Sequence, residues 1–427
     1  MHTGESPTKV GAGAGGVDAS WRRGVAAEEL RRHNLSAVLE PLHLSGPHSR
    51  SELTAITGLN RSTIADLLGE LVALGLVEER PGPAASGPGR PSPLVQTRPE
   101  GAAVLAVELD VDSIAVATVG LGAHVYNQVR VARPRQRFSP SGSVQDIAKL
   151  AGPLLDSLPA SHALVGVGAA VAGITRRSDG FVHLAPNLGW RDVPLGSMLA
   201  AELDLGVPVF AANEADLGAL AEHRRVCPGI GTLVYVSGEV GIGAGVIVDG
   251  KPMLGSAGYA GEAGHTLINP DGRECRCGAV GCWETEAGEA ALLRHAGVSD
   301  ASGHVDEVAE RAAAGDRTTL RAIAEVGRWL GLGIGNLINV FNPDLVVLGG
   351  LYERLFRFLE RSVLDGAHER ALGAPGEMAA IACSGLGPDA PLIGAAELVL
   401  SGVISDPARS DGRSVRARSA VGSRAGR

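Results

Sequence analysis

The chain has 427 residues, a length that predicts two or three domains rather than one. Hydrophobic residues make up 45% of it and aromatic residues only 3%, so the core has to be built from Ala, Val, Leu and Ile. No stretch of about 18 apolar residues and no basic-then-apolar signal pattern occurs, which predicts a cytoplasmic protein without a membrane segment. The net charge of −9 does not indicate nucleic-acid binding, so such binding has to be argued from sequence pattern.

Both ends of the chain have the composition of disordered tails. Residues 1–27 include a Gly/Ala run, and residues 405–427 carry six arginines among Ser, Gly and Ala. Neither composition favours a packed core. We predict disorder at both ends, with a non-specific DNA contact of the Arg-rich end as the alternative.

Residues 28–98 have the element order of a winged helix–turn–helix domain. Apolar residues first repeat with helical spacing in three segments, and two strand-like segments then flank a Gly/Pro-rich loop. These segments are 28–44, 51–56, 60–75, 76–80 and 94–95. The predicted order is therefore helix, helix–turn–helix, strand, wing loop and strand. A small helical protein-interaction module with a flexible linker is the alternative.

In such a domain the second helix of the motif enters the major groove, and an Arg in the wing can enter the minor groove. Polar side chains at the start of that helix can reach base edges or phosphates. The candidate DNA contacts are Arg50, Asn60, Arg61, Ser62, Thr63 and Arg90. For Arg61 alone, a solvated surface position is an equally good interpretation.

The remaining chain predicts an α/β body in two lobes, residues 99–227 and 228–404. Short apolar runs rich in β-branched residues alternate with helical segments over this whole length. The first two runs, 104–107 and 114–119, are separated by a turn that contains Asp110 and Asp112.

Four potential metal ligands are crowded into one segment of the second lobe: His265, Cys275, Cys277 and Cys282. One imidazole and three thiolates satisfy tetrahedral Zn²⁺, and Gly278 and Gly281 allow the loop to fold around the ion. Three of the five cysteines lie within eight residues, which in a cytosolic chain favours a metal over disulfides. We predict a structural Zn²⁺ site; three incidental reduced thiols are the alternative.

The segment Gly241–Glu284 resembles the signature of the ROK family of repressors, uncharacterised reading frames and sugar kinases. The resemblance covers about residues 28–402, because the helix–turn–helix head matches the repressor branch. It implies an actin/hexokinase-like two-lobed α/β body behind a winged helix–turn–helix, zinc in the sugar lobe, and a homodimer or tetramer. It further implies a repressor of carbohydrate-metabolism genes whose partners are operator DNA and a sugar or sugar-phosphate effector.

The resemblance also implies a sugar site at Asn213, Glu214, Glu262, His265 and Glu284. His265 would bind zinc through one ring nitrogen and face the sugar with the other. Glu214 stands where the family's kinases carry a catalytic Asp, and its reach is longer by one methylene, which impairs general-base catalysis. Its alternative role is that of an acid complementing a helix dipole.

Two turns that bind phosphate in the family's kinases are altered. The stretch Glu108–Asp112 replaces Asp-x-Gly-Gly-Thr, and Glu239–Gly243 replaces Gly-Thr-Gly-Ile-Gly. Each added acid would repel a triphosphate by about 1–4 kcal/mol. We therefore predict a sugar-binding regulator that has lost phosphoryl transfer and is not an enzyme. Two alternatives remain: an active glucokinase-like sugar kinase with a DNA-binding head, and a scaffold whose head binds protein.

Overall fold

The computed structural model describes residues 19–82, 93–135, 138–256, 258–299, 304–408 and 415–416. Thirteen α-helices occur in these ranges: α1 (Ala19–Ser45), α2 (Arg50–Thr57), α3 (Arg61–Ala73), α4 (Pro140–Asp156), α5 (Leu195–Leu203), α6 (Glu214–Arg225), α7 (Trp283–Ala287), α8 (Glu289–Ala296), α9 (His304–Ala313), α10 (Arg317–Phe341), α11 (Leu351–Arg370), α12 (Gly373–Met378) and α13 (Ala390–Ser405).

Seventeen strands form four sheets within the same ranges. The strands are β1 (His48–Ser49), β2 (Val77–Arg80), β3 (Leu94–Thr97), β4 (Ala103–Leu109), β5 (Ser113–Gly120), β6 (His124–Ala132), β7 (Ala163–Val171), β8 (Ile174–Arg176), β9 (Phe181–Ala185), β10 (Trp190–Val193), β11 (Val209–Asn213), β12 (Thr232–Gly238), β13 (Ile242–Val248), β14 (Lys251–Pro252), β15 (Leu345–Gly350), β16 (Ala380–Cys383) and β17 (Val415–Arg416).

The head consists of α1, α2 and α3 with the small antiparallel sheet β1–β3–β2. A capping box starts α2, since the Ser49 side chain accepts from the Glu52 N–H and the Glu52 carboxylate accepts from the Ser49 N–H. Gly58 ends α2 in the left-handed conformation, and Asn60 caps α3. These local signals produce the helix–turn–helix, and β2 and β3 are the strands on either side of the predicted wing.

The two lobes repeat one strand pattern. The first sheet has the order β11–β7–β4–β5–β6 and the second has the order β14–β13–β12–β15–β16. In each, three strands are parallel and the last two strands on one side are antiparallel. A separate antiparallel sheet, β10–β9–β8, extends from the first lobe.

Helix α13 belongs to the first lobe, although it lies in the stretch 228–404 that the sequence assigned to the second. It packs on β7 and on α6, and a glycine at each contact allows the backbones to touch: a Cβ on Gly168 of β7 would lie 2.0 Å from the Ala395 carbonyl oxygen. A Cβ on Gly394 would lie 1.9 Å from the carbonyl oxygen of Leu217 in α6. The first lobe is thus completed by the C-terminal helix.

The termini also differ from the sequence prediction. Helix α1 begins at Ala19, nine residues before the predicted start of the head, so the segment 19–27 is helical rather than disordered. In the predicted C-terminal tail, β17 pairs with β7 at Ala163 and Leu164. The remaining tail residues, 1–18, 409–414 and 417–427, lie outside the described residues.

Among the described residues, one helical segment has the length and apolar character of a membrane span. It is Gly387–Ser405, which includes α13, and 67% of its apolar window is buried inside the protein. Such burial is the behaviour of a core helix in contact with both α6 and the first sheet.

Candidate functional site

The five predicted sugar residues line one cavity of about 160 Å³ between the lobes: Asn213, Glu214, Glu262, His265 and Glu284. Asn213 and Glu214 lie at the junction of β11 and α6, whereas the other three come from the second lobe. Ligand pockets commonly measure about 300–1,000 Å³, so this cavity suits a small molecule such as a single sugar ring.

The four predicted metal ligands meet beside this cavity. The donor atoms of His265, Cys275, Cys277 and Cys282 all lie within 4.8 Å of one another. The Sγ atoms of Cys277 and Cys282 are 3.6 Å apart, and the Cys275 Sγ is 3.6 Å from the His265 Nδ1. A tetrahedron with Zn–S bonds of about 2.3 Å has edges of about 3.8 Å, so the cluster fits Zn²⁺.

The two ring nitrogens of His265 face in different directions. Nδ1 faces the thiol cluster, and Nε2 lies 3.9 Å from the Glu262 carboxylate. Burial raises the pKa of Glu262, Glu284 adds to the shift, and His265 opposes it. Because His265 belongs to both sets of residues, the metal cluster can fix the ring that the cavity presents.

Glu284 connects the metal loop to the cavity in a second way. The Cys275 thiol donates to its Oε1 at 2.9 Å. Gly241 makes room for this carboxylate, since a Cβ there would lie 2.6 Å from the Glu284 Oε2. The altered kinase loop Glu239–Gly243 therefore has a packing role beside Glu284.

Both polar atoms of the Asn213 side-chain amide make hydrogen bonds within the protein. The Oδ1 accepts from the backbone N–H of Ala215 at 2.8 Å and caps α6, while Nδ2 donates to the Gly173 carbonyl at 3.0 Å. Glu214 is the first residue of α6, where an acid complements the helix dipole. The dipole and sugar-contact interpretations of Glu214 are therefore compatible.

A second cavity of about 730 Å³ adjoins the first, and three acids line both: Asp110, Glu214 and Glu239. Burial raises the pKa of Asp110 to about 6, and Asp112 adds to the shift. Burial and the charge of Asp110 likewise raise the pKa values of Glu214 and Glu239 well above the usual range. The boundary between the cavities thus carries three carboxyl groups whose ionisation is opposed by burial and by one another, and they supply none of the positive charge that a phosphate group needs.

Ion pairs span the larger cavity. Arg135 of the first lobe donates to the Asp112 Oδ2 at 2.9 Å and, through Nη2, to the Glu289 Oε1 at 3.0 Å. Because Glu289 begins α8 in the second lobe, Arg135 connects the lobes directly. Arg130 similarly pairs with Glu108 at 2.9 Å. The pKa of Glu108 nevertheless rises to about 7, because burial outweighs its arginine.

Two cavity residues were missed by the sequence analysis. Arg276 lies between two metal ligands, and its Nη1 donates to the Asn187 Oδ1 at 2.7 Å. This bond joins the metal loop to the turn between β9 and β10 in the first lobe, and both residues line the smaller cavity. The position of Arg276 between two predicted metal ligands could have identified it from the sequence, whereas no motif marks Asn187.

The predicted DNA contacts cluster at the start of α3, with several already engaged inside the head. Arg50 Nε donates to the Glu79 Oε1 at 3.1 Å. The Asn60 Oδ1 accepts from the Thr63 N–H at 2.9 Å and from the Ser62 hydroxyl at 2.6 Å. Arg61 is exposed. The predicted wing residue, Arg90, lies outside the described residues.

Known regulators match this chain over nearly its whole length. The chain is 32% identical over 401 residues to the xylose repressor of Caldicellulosiruptor bescii, covering 88% of this chain and 98% of the relative. It is 30% identical over 374 residues to the xylose repressor of Bacillus subtilis, covering 87% and 96%. Both matches are long enough to include the head.

Two solved structures resemble this chain, a regulator over most of its length and a kinase over a smaller share of it. A ROK family transcriptional regulator, a homologue of the Escherichia coli Mlc protein, superposes with a TM-score of 0.73 at 25% identity, covering 88% of this chain and 97% of its own. A ROK glucokinase from Streptomyces griseus, solved with glucose and AMPPNP, gives 0.59 at 27% identity and covers 70% of this chain and 100% of its own. The predicted α/β fold with a hexokinase-like body is thereby confirmed. The ROK family profile matches residues 104–401, and the chain belongs to the ROK family, on its transcriptional-regulator branch.

Proposed function

We propose that this sugar-responsive repressor binds a monosaccharide in the smaller cavity, with Asn213, Glu214, Glu262, His265 and Glu284 as its sugar contacts. One observation carries the proposal: five residues from separate parts of the chain line a single sugar-sized cavity beside the metal cluster. Carboxylates suit sugar hydroxyls because they accept hydrogen bonds from them, and the Nε2–H of an imidazole whose Nδ1 binds a metal donates one to a hydroxyl oxygen.

The metal in this proposal is Zn²⁺, bound by His265, Cys275, Cys277 and Cys282. When bound, it supplies a structural cross-link and leaves no open coordination position for catalysis. The chain's own residues then orient the site: His265 would present Nε2 toward the cavity. Metal-bound Cys275 is a thiolate with no proton to donate, so the Glu284 carboxylate would be available to accept from the sugar.

The head is proposed to be a winged helix–turn–helix that binds operator DNA in the cytoplasm. Arg50, Asn60, Arg61, Ser62, Thr63 and Arg90 are its candidate contacts, and a homodimer or tetramer would place two heads on a pseudo-palindromic site. Asn60 is assigned a supporting role, because its amide oxygen already caps α3.

Phosphoryl transfer is proposed to be lost. In a kinase the sugar hydroxyl and the transferred phosphate meet at the boundary between the two sites, where positive charge and backbone N–H groups are needed. Here that boundary carries Asp110, Glu214 and Glu239. The glucokinase of Halalkalibacterium halodurans matches a smaller share of this chain than the repressors do, 55% at 32% identity.

The test is selection of genomic DNA fragments by the purified protein, alone and with single sugars or ATP. D-Xylose is the first sugar to test, because the matched repressors carry its name. We expect one palindromic site whose retention changes with one sugar and not with ATP. Absence of an enriched site, together with sugar-dependent ATP hydrolysis, would establish the kinase alternative instead.

A further inference from the structure

We infer that a buried charge cluster between head and body is the connection through which sugar binding repositions the head. This inference rests on the proposed function and adds the residues that would couple its two sites. They are positioning residues, touching neither sugar nor DNA in the proposal: His43 of α1, Arg224 and Arg225 of α6, and Glu397 of α13.

The centre of the cluster is a fully buried pair. The side chains of His43 and Glu397 have 0% exposure, and the His43 Nε2 lies 3.0 and 3.1 Å from the two carboxylate oxygens. The N–H of Gly122 donates to the His43 Nδ1 at 3.0 Å. Nδ1 therefore carries a lone pair, and Nε2 carries the proton that is donated to Glu397.

Two arginines from the end of α6 complete the cluster. Arg225 donates to the backbone carbonyls of His43 at 2.9 Å and Gly122 at 2.6 Å. Arg224 bridges Glu397 and Glu40, both at 3.3 Å. Burial would raise the pKa of Glu397, but His43 and the two arginines outweigh it and lower that pKa to about 2. The carboxylate thus stays charged and holds α1 to α6 and α13.

The other end of α6 lies in the sugar cavity. Its N-cap is Asn213 and its first residue is Glu214, both of which line that cavity. The helix is twelve residues long, which corresponds to about 18 Å. One rigid helix therefore has a proposed sugar contact at one end and the attachment of the head at the other.

Close packing makes α6 and α13 move together. The backbones touch where Gly394 meets Leu217, with no room for a Cβ. Apolar residues of α1, including Leu39 and Leu42, share one buried core with Leu392 and Leu400 of α13. A displacement of α6 that accompanies sugar binding therefore carries α13 and its Glu397 with it, and the charge cluster connects both helices to α1.

A ligand shifts such an equilibrium only through different affinity for the two states. Charged hydrogen bonds have strict geometry, so the head follows the body while the cluster is intact. Without the cluster, apolar contact alone would hold α1, and such contact tolerates small changes of angle. The two binding sites would then remain intact but uncoupled.

The test is Glu397→Gln in the full-length protein, which keeps the shape and removes the charge. Operator affinity is measured with and without D-xylose, or whichever sugar the panel identifies, and sugar affinity is measured by calorimetry. In the unchanged protein we expect the sugar to alter operator affinity by a factor of about 5–150. In Glu397→Gln we expect a factor near one, with both separate affinities retained.

A second variant, His43→Gln, guards against misfolding of the first, since its amide can donate to Glu397 while the ring nitrogen that accepts from Gly122 is lost. The matched control is Arg31→Gln, which removes an ion pair of the same helix to Glu70 inside the head. Full coupling in both cluster variants would overturn the inference. No sugar effect in the unchanged protein would instead overturn the proposed function.

Discussion

Two side chains of the metal loop each contact both the cysteine cluster and the cavity. His265 presents Nδ1 to three thiols and Nε2 to the cavity, and Glu284 accepts from Cys275 while lining the same cavity. In the proposed sugar site, a residue shared in this way would make sugar recognition depend on the integrity of the loop. The metal cluster and the sugar cavity can therefore be tested together.

Replacing Cys282 with Ser should remove the metal and weaken sugar binding. The fourth ligand is lost, so we expect metal content to fall from about one Zn²⁺ per chain to nearly none. Loss of the metal should also lower the free energy of unfolding by a few kcal/mol, which corresponds to a decrease in Tm of roughly 5–10 °C. Elemental analysis, thermal unfolding and calorimetry measure the three effects.

Cys227→Ser is the control for this experiment, because Cys227 is a half-buried thiol outside the cluster. It should leave metal content and sugar affinity unchanged. Unchanged zinc content in the Cys282 variant would contradict the assignment of the four ligands. Chelation followed by zinc addition should reproduce and then reverse the sugar-affinity loss.

Asp110 gives a pH-dependent prediction. Burial raises its pKa from 3.8 to about 6 in the folded protein, so the fold retains this proton to higher pH than the unfolded chain does. Stability is therefore lost as pH rises from about 4 to 6, and the deficit persists above pH 6. Asp110→Asn should remove a deficit of at most about 3 kcal/mol at pH 8, taking 1.36 kcal/mol per pKa unit.

Chemical denaturation at pH 4 and pH 8 measures this effect. The gain from Asp110→Asn should be present at pH 8 and absent at pH 4, where the aspartate is protonated in the fold. Asp146→Asn is the control, since Asp146 is 43% exposed and pairs with Lys149. An equal gain at both pH values would show that the carboxylate charge is not its cause.

At the scale of elements, helical spacing in the sequence correctly predicted buried residues where one face of a helix packs against a single core. Leu35, Val38, Leu39 and Leu42 of α1 are buried as the helical spacing predicted. The ends of the pattern were less reliable: Leu30 is 60% exposed and Val72 is 45% exposed. Both lie toward the margin of a helix face, where periodicity alone does not define the edge of the core.

Contacts between distant segments could not be predicted in this way. Periodicity indicates which face of α13 is buried but not that it packs on the first lobe. The bond from Arg276 to Asn187 joins residues 89 positions apart, and that from His43 to Glu397 joins residues 354 apart. The composition of the cavity was accessible only through family motifs, because stereochemistry depends on such long-range packing.

The first turn of α3 is the element on which DNA binding depends in our proposal. Arg61→Ala should weaken operator binding by about 1–3 kcal/mol, because it removes an exposed cation where the helix meets base edges. Titration of labelled operator DNA at several salt concentrations measures the loss. If the variant distinguishes operator sequences less well, Arg61 contacts a base. If its affinity falls equally for all sequences and depends less steeply on salt concentration, Arg61 contacts a phosphate.

The control for Arg61 is Arg361→Ala in the body, whose side chain is 95% exposed. It removes the same charge from α11, a helix of the second lobe. Wild-type operator affinity is expected for this variant. Equal affinity of the Arg61 variant and the control would place the DNA contact elsewhere in the molecule.

At the scale of the whole molecule, the ion pair between Arg135 and Glu289 crosses the larger cavity and joins the lobes. In a kinase, a nucleotide bridges this space when the lobes close. Here Arg135 already bridges Asp112 and Glu289. In our proposal, this bridge lets the lobes close around a sugar without a nucleotide, as a sugar sensor requires.

Glu289→Gln tests this closure at a distance from the sugar cavity. Glu289 lines the larger cavity and not the smaller one, so its change leaves every proposed sugar contact in place. Removing one charged hydrogen bond between the lobes should make the free energy of lobe closure less favourable by about 1.5 kcal/mol. The Kd for the sugar should then rise roughly tenfold. Calorimetry measures the affinity, and Glu310→Gln on the exposed face of α9 is the control. Equal sugar affinity in the two variants would mean that the bond between Arg135 and Glu289 is present in the open and closed states alike.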